Sequence, residues 1–134
     1  MTPAEVQARV HEGVPLAALF GIEVVSAGEG VAVLRLPPAP LLLRPGNTLS
    51  GPAIMGLCDV AIWAAFLTAT GGEDNARTQQ LAVTFLRPAG PGPLLAEARV
   101  VRRGARVVYA EVWLRAEGAE APCGHCTSTW MVVT

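Results

Sequence analysis

The stretch that decides the fold spans residues 52–68 and reads Pro-Ala-Ile-Met-Gly-Leu-Cys-Asp-Val-Ala-Ile-Trp-Ala-Ala-Phe-Leu-Thr. Its only charged residue is Asp59. Ser50 can cap a helix that begins here, Pro52 suits the first helical turn, and Gly71 marks the end. A helix that is apolar on every side is buried on every side. The sequence therefore predicts a long central helix enclosed by the rest of the chain.

A membrane span is the competing interpretation of the same stretch. A spanning helix needs about 20 predominantly apolar residues, and residues 52–68 fall short of that length. An acid near the middle of the stretch also disfavours insertion into a bilayer. We therefore expect a core helix and no membrane partner.

Short apolar runs separated by turn residues are typical of strands, and they occupy most of the remaining chain. Residues 22–36 form a strand pair or one long strand, with glycines at 28 and 30 marking a turn or bulge. Further strands are predicted at 81–86, 94–102, 106–115 and 127–133. The prolines between residues 37 and 45 predict a loop over 37–49.

The N-terminal segment, residues 1–20, is predicted to be helical. Thr2-Pro3-Ala4-Glu5 is a helix start, and an apolar turn follows at 14–20. The whole pattern predicts an α+β fold, in which an antiparallel β-sheet wraps around one long central helix. With no repeat and no linker, residues 1–134 form a single domain.

Composition excludes several classes of function. The chain has 134 residues, 51% of them hydrophobic, which suits one folded domain and excludes disorder. The net charge of −1 gives no electrostatic reason to expect nucleic acid. All 10 basic residues are arginines, so lysine chemistry is excluded. We see no signal peptide and expect a cytoplasmic protein.

Asp59 is the first candidate for chemistry. A carboxylate on an otherwise apolar helix is costly unless it is paired or used, and such positions are enriched in functional sites. The structural alternative is an aspartate bonded to backbone or to an arginine, or one on a side that faces solvent. Position alone does not separate these alternatives.

Gly51 is the second candidate, because it lies at the helix N-terminus, where free N–H groups suit an oxyanion or a polarised carbonyl. Plain capping by Ser50 is the alternative. Gly51 and Asp59 are separated by roughly 12 Å along one helix. If both act on one carbon, they come from two subunits related by a two-fold axis.

Cys123-Gly124-His125-Cys126 matches a redox motif as a string, but it leads into a strand rather than a helix. The chain has 3 cysteines and 2 histidines, which is poor material for a zinc site, so we expect no metal. The odd number of cysteines also argues against a disulfide framework. No convincing Ser-His-Asp arrangement is present.

The segment from Arg44 to Ala61 resembles the signature of hot-dog thioesterases of the phenylacetate-pathway (PaaI-like) type. In that family, Asn-x-x-Gly-x-x-His-Gly-Gly leads into a central helix with an acid nine positions after the His. The segment Thr78–Pro88 resembles the next strand of the family. The resemblance spans roughly residues 15–134 and implies a hot-dog fold.

The resemblance also implies roles for particular residues. Asp59 matches the catalytic acid, a general base or nucleophile. Gly51 matches the glycine whose N–H polarises the thioester carbonyl, and Thr78 matches a residue that helps to place water. In the family, the glycine and the acid come from different subunits, in agreement with the helix-length argument.

Four positions that match the family's substrate-binding segment carry other residues. Ser50 replaces the family's His, and Pro52 replaces the second Gly and so lacks an N–H. Arg44 replaces the Asn, and Asn47 replaces a turn glycine. Arg44 is either a ligand for a phosphate or carboxylate of the substrate or a solvated loop residue.

The expected function is therefore hydrolysis of an acyl-CoA or related thioester, with coenzyme A as part of the substrate and with no further cofactor. The expected assembly is a homodimer at least, and the resemblance implies a homotetramer. The alternative is a non-catalytic acyl-thioester-binding protein, which the residues at Ser50 and Arg44 favour. A dehydratase is disfavoured, because no histidine lies near the helix start.

Overall fold

The computed structural model describes residues 1–133, in which a main antiparallel sheet packs around a central helix. These residues contain three α-helices: α1 (Pro3–Gly13), α2 (Pro15–Leu19) and α3 (Gly51–Ala69). The strands are β1 (Glu23–Gly28), β2 (Val31–Leu36), β3 (Leu43–Arg44), β4 (Thr48–Leu49), β5 (Ala76–Phe85), β6 (Leu94–Arg103), β7 (Val107–Ala116) and β8 (Gly124–Val132). The predicted α+β architecture is confirmed.

The main sheet has six strands in the order β1-β2-β6-β7-β8-β5, and every neighbouring pair is antiparallel. Strands β1 and β5 are therefore its edges. Most β5 side chains are exposed, whereas β7 and β8 alternate buried residues toward the helix with more exposed residues outside. One edge of the sheet thus lies open beside the central helix.

Helix α3 forms for the reasons given by its sequence. The Ser50 side chain accepts a hydrogen bond from the Ala53 N–H at 3.3 Å, and Gly71 follows the helix with a φ of 66°. Residues 60–67 are all buried, as predicted. The first half of the helix differs, because Pro52 and Met55 are exposed on one side. The prediction of burial on every side was therefore wrong for that half.

The length and hydropathy of α3 would allow it to cross a membrane, but 61% of the apolar window is buried inside the domain. The helix is accordingly the core around which the sheet packs. Phe66, Leu57 and Ile62 are among the largest fully buried side chains.

Residues 22–36 form a strand pair. Glu29 and Gly30 have φ values of 52° and 78°, the left-handed conformation that a two-residue hairpin turn of type I′ requires at both positions. The expected turn at this point is confirmed, with Glu29 and Gly30 at its centre.

Three predicted segments differ from the structure. Residues 37–49 are not entirely loop, because a 3₁₀ turn at Pro40–Leu42 and the β3–β4 ribbon lie within them. Strand β5 begins at Ala76 rather than at residue 81, since pairing with β8 extends through its polar start. Strand β8 begins at Gly124 rather than at residue 127, so most of the Cys-Gly-His-Cys motif is strand.

Candidate active site

Asp59 and Thr78 meet at the open side of α3. The Thr78 hydroxyl donates a hydrogen bond of 2.7 Å to Asp59 Oδ1. Asp59 is half-buried, and both residues line a cavity of about 330 Å³. A hydroxyl that donates to a carboxylate forms a charge-assisted hydrogen bond, which fixes the orientation of that carboxylate. The structure therefore brings two of the three predicted catalytic residues together.

A β-bulge in β5 directs Thr78 toward the helix. Gln80 lies opposite Thr129 and Thr78 lies opposite Trp130, so Gln79 is an extra residue in the strand. Side chains alternate between the two faces of a regular strand, and a bulge shifts that alternation by one residue. Without the extra residue, position 79 rather than 78 would face the helix.

Ser128 satisfies the backbone at this bulge. Its hydroxyl donates to the Gln80 carbonyl oxygen at 2.6 Å and accepts from Trp130 Nε1 at 3.1 Å. Ser128 is fully buried, and a buried hydroxyl must be hydrogen-bonded to avoid a large desolvation cost. The three groups form a chain of hydrogen bonds directly beneath the bulge that presents Thr78.

Trp63 forms one wall of the Asp59 cavity. It follows Asp59 by one helical turn, and positions four apart lie on the same helix face. Trp63 Nε1 donates to Asp74 Oδ1 at 3.0 Å, and Arg77 Nη1 lies 3.1 Å from the same oxygen. Other apolar walls come from Val14, Val60, Ala76 and Trp130. The cavity lining is therefore largely apolar, and it also includes the charged residues Asp59, Asp74 and Arg77.

Gly51 lies in a second recess at the start of the helix. This groove has a volume of about 710 Å³, and its lining includes Arg44, Gly51, Phe85 and Arg87. Asp59 is not among its lining residues. Within one chain, Gly51 and Asp59 therefore face different recesses, as the length of the helix predicted.

Of the four other predicted binding residues, Arg44 lines the Gly51 groove, whereas Asn47, Ser50 and Pro52 do not. The Arg44 Nε donates to the Pro45 carbonyl oxygen at 3.1 Å. Asn47 has a φ of 59° in the turn between β3 and β4, a conformation that asparagine tolerates. The Ser50 hydroxyl is engaged as the helix cap, and Pro52 is exposed in the first turn.

Comparison with known protein families identifies the family of this chain. A sequence model of the thioesterase superfamily matches residues 46–123, which is more than half of the chain and includes Gly51, Asp59 and Thr78.

The chain belongs to the thioesterase superfamily.

The chain is also similar to individual proteins and solved structures. It is 33% identical over 91 residues to a Saccharolobus solfataricus protein with a provisional esterase name. That match covers 68% of this chain and 64% of the relative, so the chain spans less than two thirds of the relative's length. A Silicibacter sp. TM1040 structure, provisionally named a thioesterase, has a TM-score of 0.88 and 28% identity, covering 98% of this chain and 92% of that one.

The Escherichia coli PaaI protein, from the phenylacetic acid degradation operon, has a TM-score of 0.83 and 20% identity. The superposition covers 98% of this chain and 96% of the PaaI chain, and at this identity the likeness is one of fold. The likeness confirms the predicted hot-dog fold, and the match to the thioesterase-superfamily model confirms the predicted family.

The histidines of this thioesterase-superfamily chain lie away from Asp59. His11 Nε2 donates to the Ile22 carbonyl oxygen at 2.6 Å. His125 Nε2 lies 3.0 Å from Glu111 Oε1, and its ring packs on Trp113 on the outer face of the sheet. Of the two carboxylates that line the cavity, Asp74 is engaged with Trp63 and Arg77, so Asp59 is the candidate proton acceptor.

The cysteines are packing residues in this structure. All three are free and buried. The hydrogen bond with the Cys126 thiol and burial both raise the pKa of Cys58, and burial raises the pKa of Cys123. A raised pKa leaves little reactive thiolate at neutral pH. Among residues 1–133, no group of three or more potential metal ligands is found.

Sequence reasoning missed Trp63, Asp74 and Arg87 as residues of the two recesses. Trp63 had a usable signal, because it lies four positions after the candidate acid on the same helix. Asp74 and Arg87 had none, since each lies in a connection whose path is set by tertiary contacts.

Proposed function

We propose that this chain hydrolyses an acyl-CoA or a related acyl thioester at sites shared by two subunits. The single observation that carries the proposal is the 2.7 Å hydrogen bond between Thr78 and Asp59 at an apolar cavity, in a fold of the thioesterase superfamily. A carboxylate held in place beside an apolar cavity is suited to act on a carbonyl bound there.

Asp59 acts as general base or as nucleophile. In the general-base route, a water oxygen attacks the thioester carbonyl carbon while its proton passes to the Asp59 carboxylate. The tetrahedral oxyanion then collapses, the C–S bond breaks, and the leaving thiolate receives the proton. Thr78 holds the carboxylate through its hydrogen bond and helps to place the water.

Gly51 supplies the donor for the oxyanion. In the first turn of α3, the Ala53 N–H donates to Ser50 Oγ and the Ile54 N–H donates to the Ser50 carbonyl oxygen. Pro52 has no N–H. The Gly51 N–H at the positive end of the helix is therefore the group left for a developing negative charge.

Strand β5 provides the way to combine the two halves. It runs from Thr78, beside Asp59, to Phe85, whose ring lies 3.9 Å from where a Cβ on Gly51 would be. An edge strand can pair with its own copy in antiparallel orientation. Such a pair reverses the strand direction, so the Thr78 end of one subunit meets the Gly51 end of the other.

The two recesses then divide the substrate. The apolar cavity beside Asp59 receives the acyl group, and the groove beside Gly51 receives part of the coenzyme A moiety. Arg44 and Arg87 both line that groove, and guanidinium groups are suited to phosphate. This division gives Arg44 a substrate-binding role without a catalytic one.

We extend the proposal to a homotetramer of two such dimers. The outer face of the sheet exposes Tyr109, Trp113 and Met131, and exposed apolar side chains of this size favour contact with another protein surface. Sedimentation equilibrium should give the mass of four 14.0 kDa chains. A mass of two chains would limit the assembly to the dimer.

The proposed activity is tested by thiol release from a panel of acyl-CoAs. Wild type and Asp59→Asn are compared, with Glu120→Gln as a matched carboxylate-to-amide change at an exposed loop position. We expect Asp59→Asn to lower kcat/KM by about 10²- to 10⁴-fold and Glu120→Gln to leave it unchanged. An Asp59→Asn enzyme as fast as wild type would remove Asp59 from the mechanism.

A non-catalytic acyl-thioester binder is the second candidate, and Ser50 and Arg44 in place of the family's His and Asn favour it. Calorimetry with a thioether analogue of acyl-CoA separates the two. Binding of the analogue without thiol release from any thioester selects the binder. Thiol release abolished by Asp59→Asn selects the enzyme.

A further inference from the structure

We infer that Trp63 is the specificity-determining residue of the acyl cavity, locked in place by Asp74 and Gly13, and that it limits the acyl group to a short chain or a single ring. The inference rests on the proposed function, because it assigns the cavity beside Asp59 to the acyl group.

One end of the Trp63 indole is held by a hydrogen bond. Its Nε1 donates to Asp74 Oδ1 at 3.0 Å, and Asp74 is held in turn by Arg77 at 3.1 Å. A hydrogen bond to a carboxylate is stronger than one between neutral groups. The ring is thus fixed at its nitrogen, although the exposed Asp74–Arg77 pair by itself contributes little to stability.

The opposite edge of the indole abuts helix α1. A Cβ built on Gly13 would lie 2.6 Å from Trp63 Cη2, a distance at which something must shift. Gly13 is therefore the residue that allows the ring to sit against the end of α1. With one edge bonded and the other in close contact, Trp63 has little freedom to swing out of the cavity.

The dimensions and lining of the cavity indicate the class of acyl group. The part of the cavity that one chain forms has a volume of about 330 Å³, close to the lower limit of ligand pockets, roughly 300–1,000 Å³. Val60, Trp63 and Trp130 present apolar and aromatic surface to the cavity. Asp74 and Arg77 also line it, and they are engaged in holding the Trp63 ring. Indole walls suit a flat ring or a short alkyl chain. A long fatty acyl chain would need the space that Trp63 occupies.

The test is an acyl-length profile of full-length Trp63→Ala against wild type. The probes are butanoyl-, hexanoyl-, octanoyl-, decanoyl- and phenylacetyl-CoA, with kcat/KM from thiol release. The ratio of decanoyl to hexanoyl rates does not depend on the folded fraction of the variant. Wild type should favour hexanoyl- or phenylacetyl-CoA. In Trp63→Ala the preference should move to longer chains, by roughly fourfold for each CH₂ group that enters the new space.

Two further variants keep the inference falsifiable. If Trp63→Ala does not fold, Trp63→Leu takes its place. It retains an apolar side chain and should shift the chain-length preference in the same direction by a smaller amount. Asp74→Ala removes the hydrogen bond that holds the ring, and it should raise the decanoyl-to-hexanoyl ratio while Trp63 is still present. A length profile that is the same in wild type and in every folded variant would overturn the inference.

Binding separates this inference from the proposed function. The same chain-length series is made as thioether analogues, which cannot be hydrolysed, and affinities are measured by calorimetry. If Trp63→Ala gains affinity for the longer analogues while wild type releases no thiol, the cavity assignment stands and the proposed hydrolysis fails. If hydrolysis is present but neither rates nor affinities change with Trp63, the inference fails alone.

Discussion

The two ends of the candidate site are built differently, although both lie on one helix. At the acid end, the carboxylate of Asp59 is fixed by the Thr78 hydroxyl beside a cavity of about 330 Å³. At the glycine end, Gly51 at the helix N-terminus lines a groove of about 710 Å³ that two arginines also line. Side-chain contacts define the first end, and backbone geometry defines the second. Neither end offers both a base and an oxyanion donor, so in the proposed mechanism one chain supplies two different halves of a site.

Mixing two inactive variants tests whether the halves come from different subunits. Gly51→Asp puts a carboxylate at a helix N-terminus, where it is compatible with folding but repels an oxyanion. We expect this variant and Asp59→Asn each to be inactive alone. When the two are unfolded and refolded together, about a quarter of wild-type activity should return, because half of the dimers are mixed and each has one intact site.

The control for this experiment is mixing the two variants without refolding, which should restore little activity if subunits exchange slowly. Absence of any recovery after co-refolding, with mixed dimers demonstrated by mass spectrometry, would mean that Gly51 and Asp59 act within one chain. That result would contradict the assignment of the two ends to different subunits.

Thr78→Ala tests the acid end alone. Removal of the hydroxyl takes away a hydrogen bond to a charged group, so we expect kcat to fall by roughly 10- to 100-fold with a small change in KM. Thr78→Ser keeps the hydroxyl and should restore most of the rate. Steady-state kinetics on the best substrate of the panel measure both variants. A serine variant as slow as the alanine variant would argue that the methyl group, and not the hydroxyl, is what matters.

The acid end also illustrates what sequence could and could not predict. Asp59 stood out as the only charge in an apolar helix, and the helix itself followed from composition, cap and glycine stop. Thr78 was found only by resemblance, because Arg77-Thr78-Gln79-Gln80 is polar and does not alternate like a half-buried strand. Its inward direction depends on a bulge whose position is set by pairing with β8, a contact between residues far apart in the chain.

The glycine end was predicted by other means. The turn at Asn47 was implied by the resemblance, which matches Asn47 to a turn glycine, and asparagine tolerates the positive φ observed there. The groove itself could not be predicted, because Arg44 and Arg87 come from segments 43 residues apart in the chain that meet only in the folded domain. Local rules thus singled out Asp59 and Gly51, the resemblance added Thr78, and tertiary contacts determined the walls of the two recesses.

Ser128→Ala should weaken the acid end indirectly. The substitution removes the 2.6 Å hydrogen bond that the Ser128 hydroxyl donates to the Gln80 carbonyl oxygen. It also removes the acceptor of the Trp130 Nε1–H. We expect a loss of about 1–3 kcal/mol in the free energy of unfolding and a fall in kcat on the order of tenfold. Because Ser128 acts on Thr78 through the bulge, Ser128→Ala should not slow Thr78→Ala any further. Equal losses of rate in both backgrounds would show that the effect does not pass through Thr78.

Arg44→Ala tests whether the groove at the glycine end binds the substrate. An exposed arginine that meets a phosphate contributes modestly, so KM for acyl-CoA should rise roughly two- to fivefold while kcat stays unchanged. The difference should shrink at high salt, since screening weakens exposed charge pairs. Arg102→Ala, an exposed arginine on β6 outside both recesses, is the matched control. An equal effect in both variants would assign it to net charge and not to the groove.

The smallest effect is expected at the cysteines beneath the acid end. Cys58 precedes Asp59 in the chain, but its thiol faces inward against that of Cys126. Both side chains are fully buried on the core side of α3. Cys126→Ala should cost about 0.5–1.5 kcal/mol in the free energy of unfolding, similar to the loss of one buried methyl group. The rate per folded molecule should equal that of wild type, with or without a thiol reductant, and Cys123→Ala should behave alike. A rate that depended on reductant in wild type and not in these variants would mean that the acid end contains redox chemistry in addition to the Asp59–Thr78 pair.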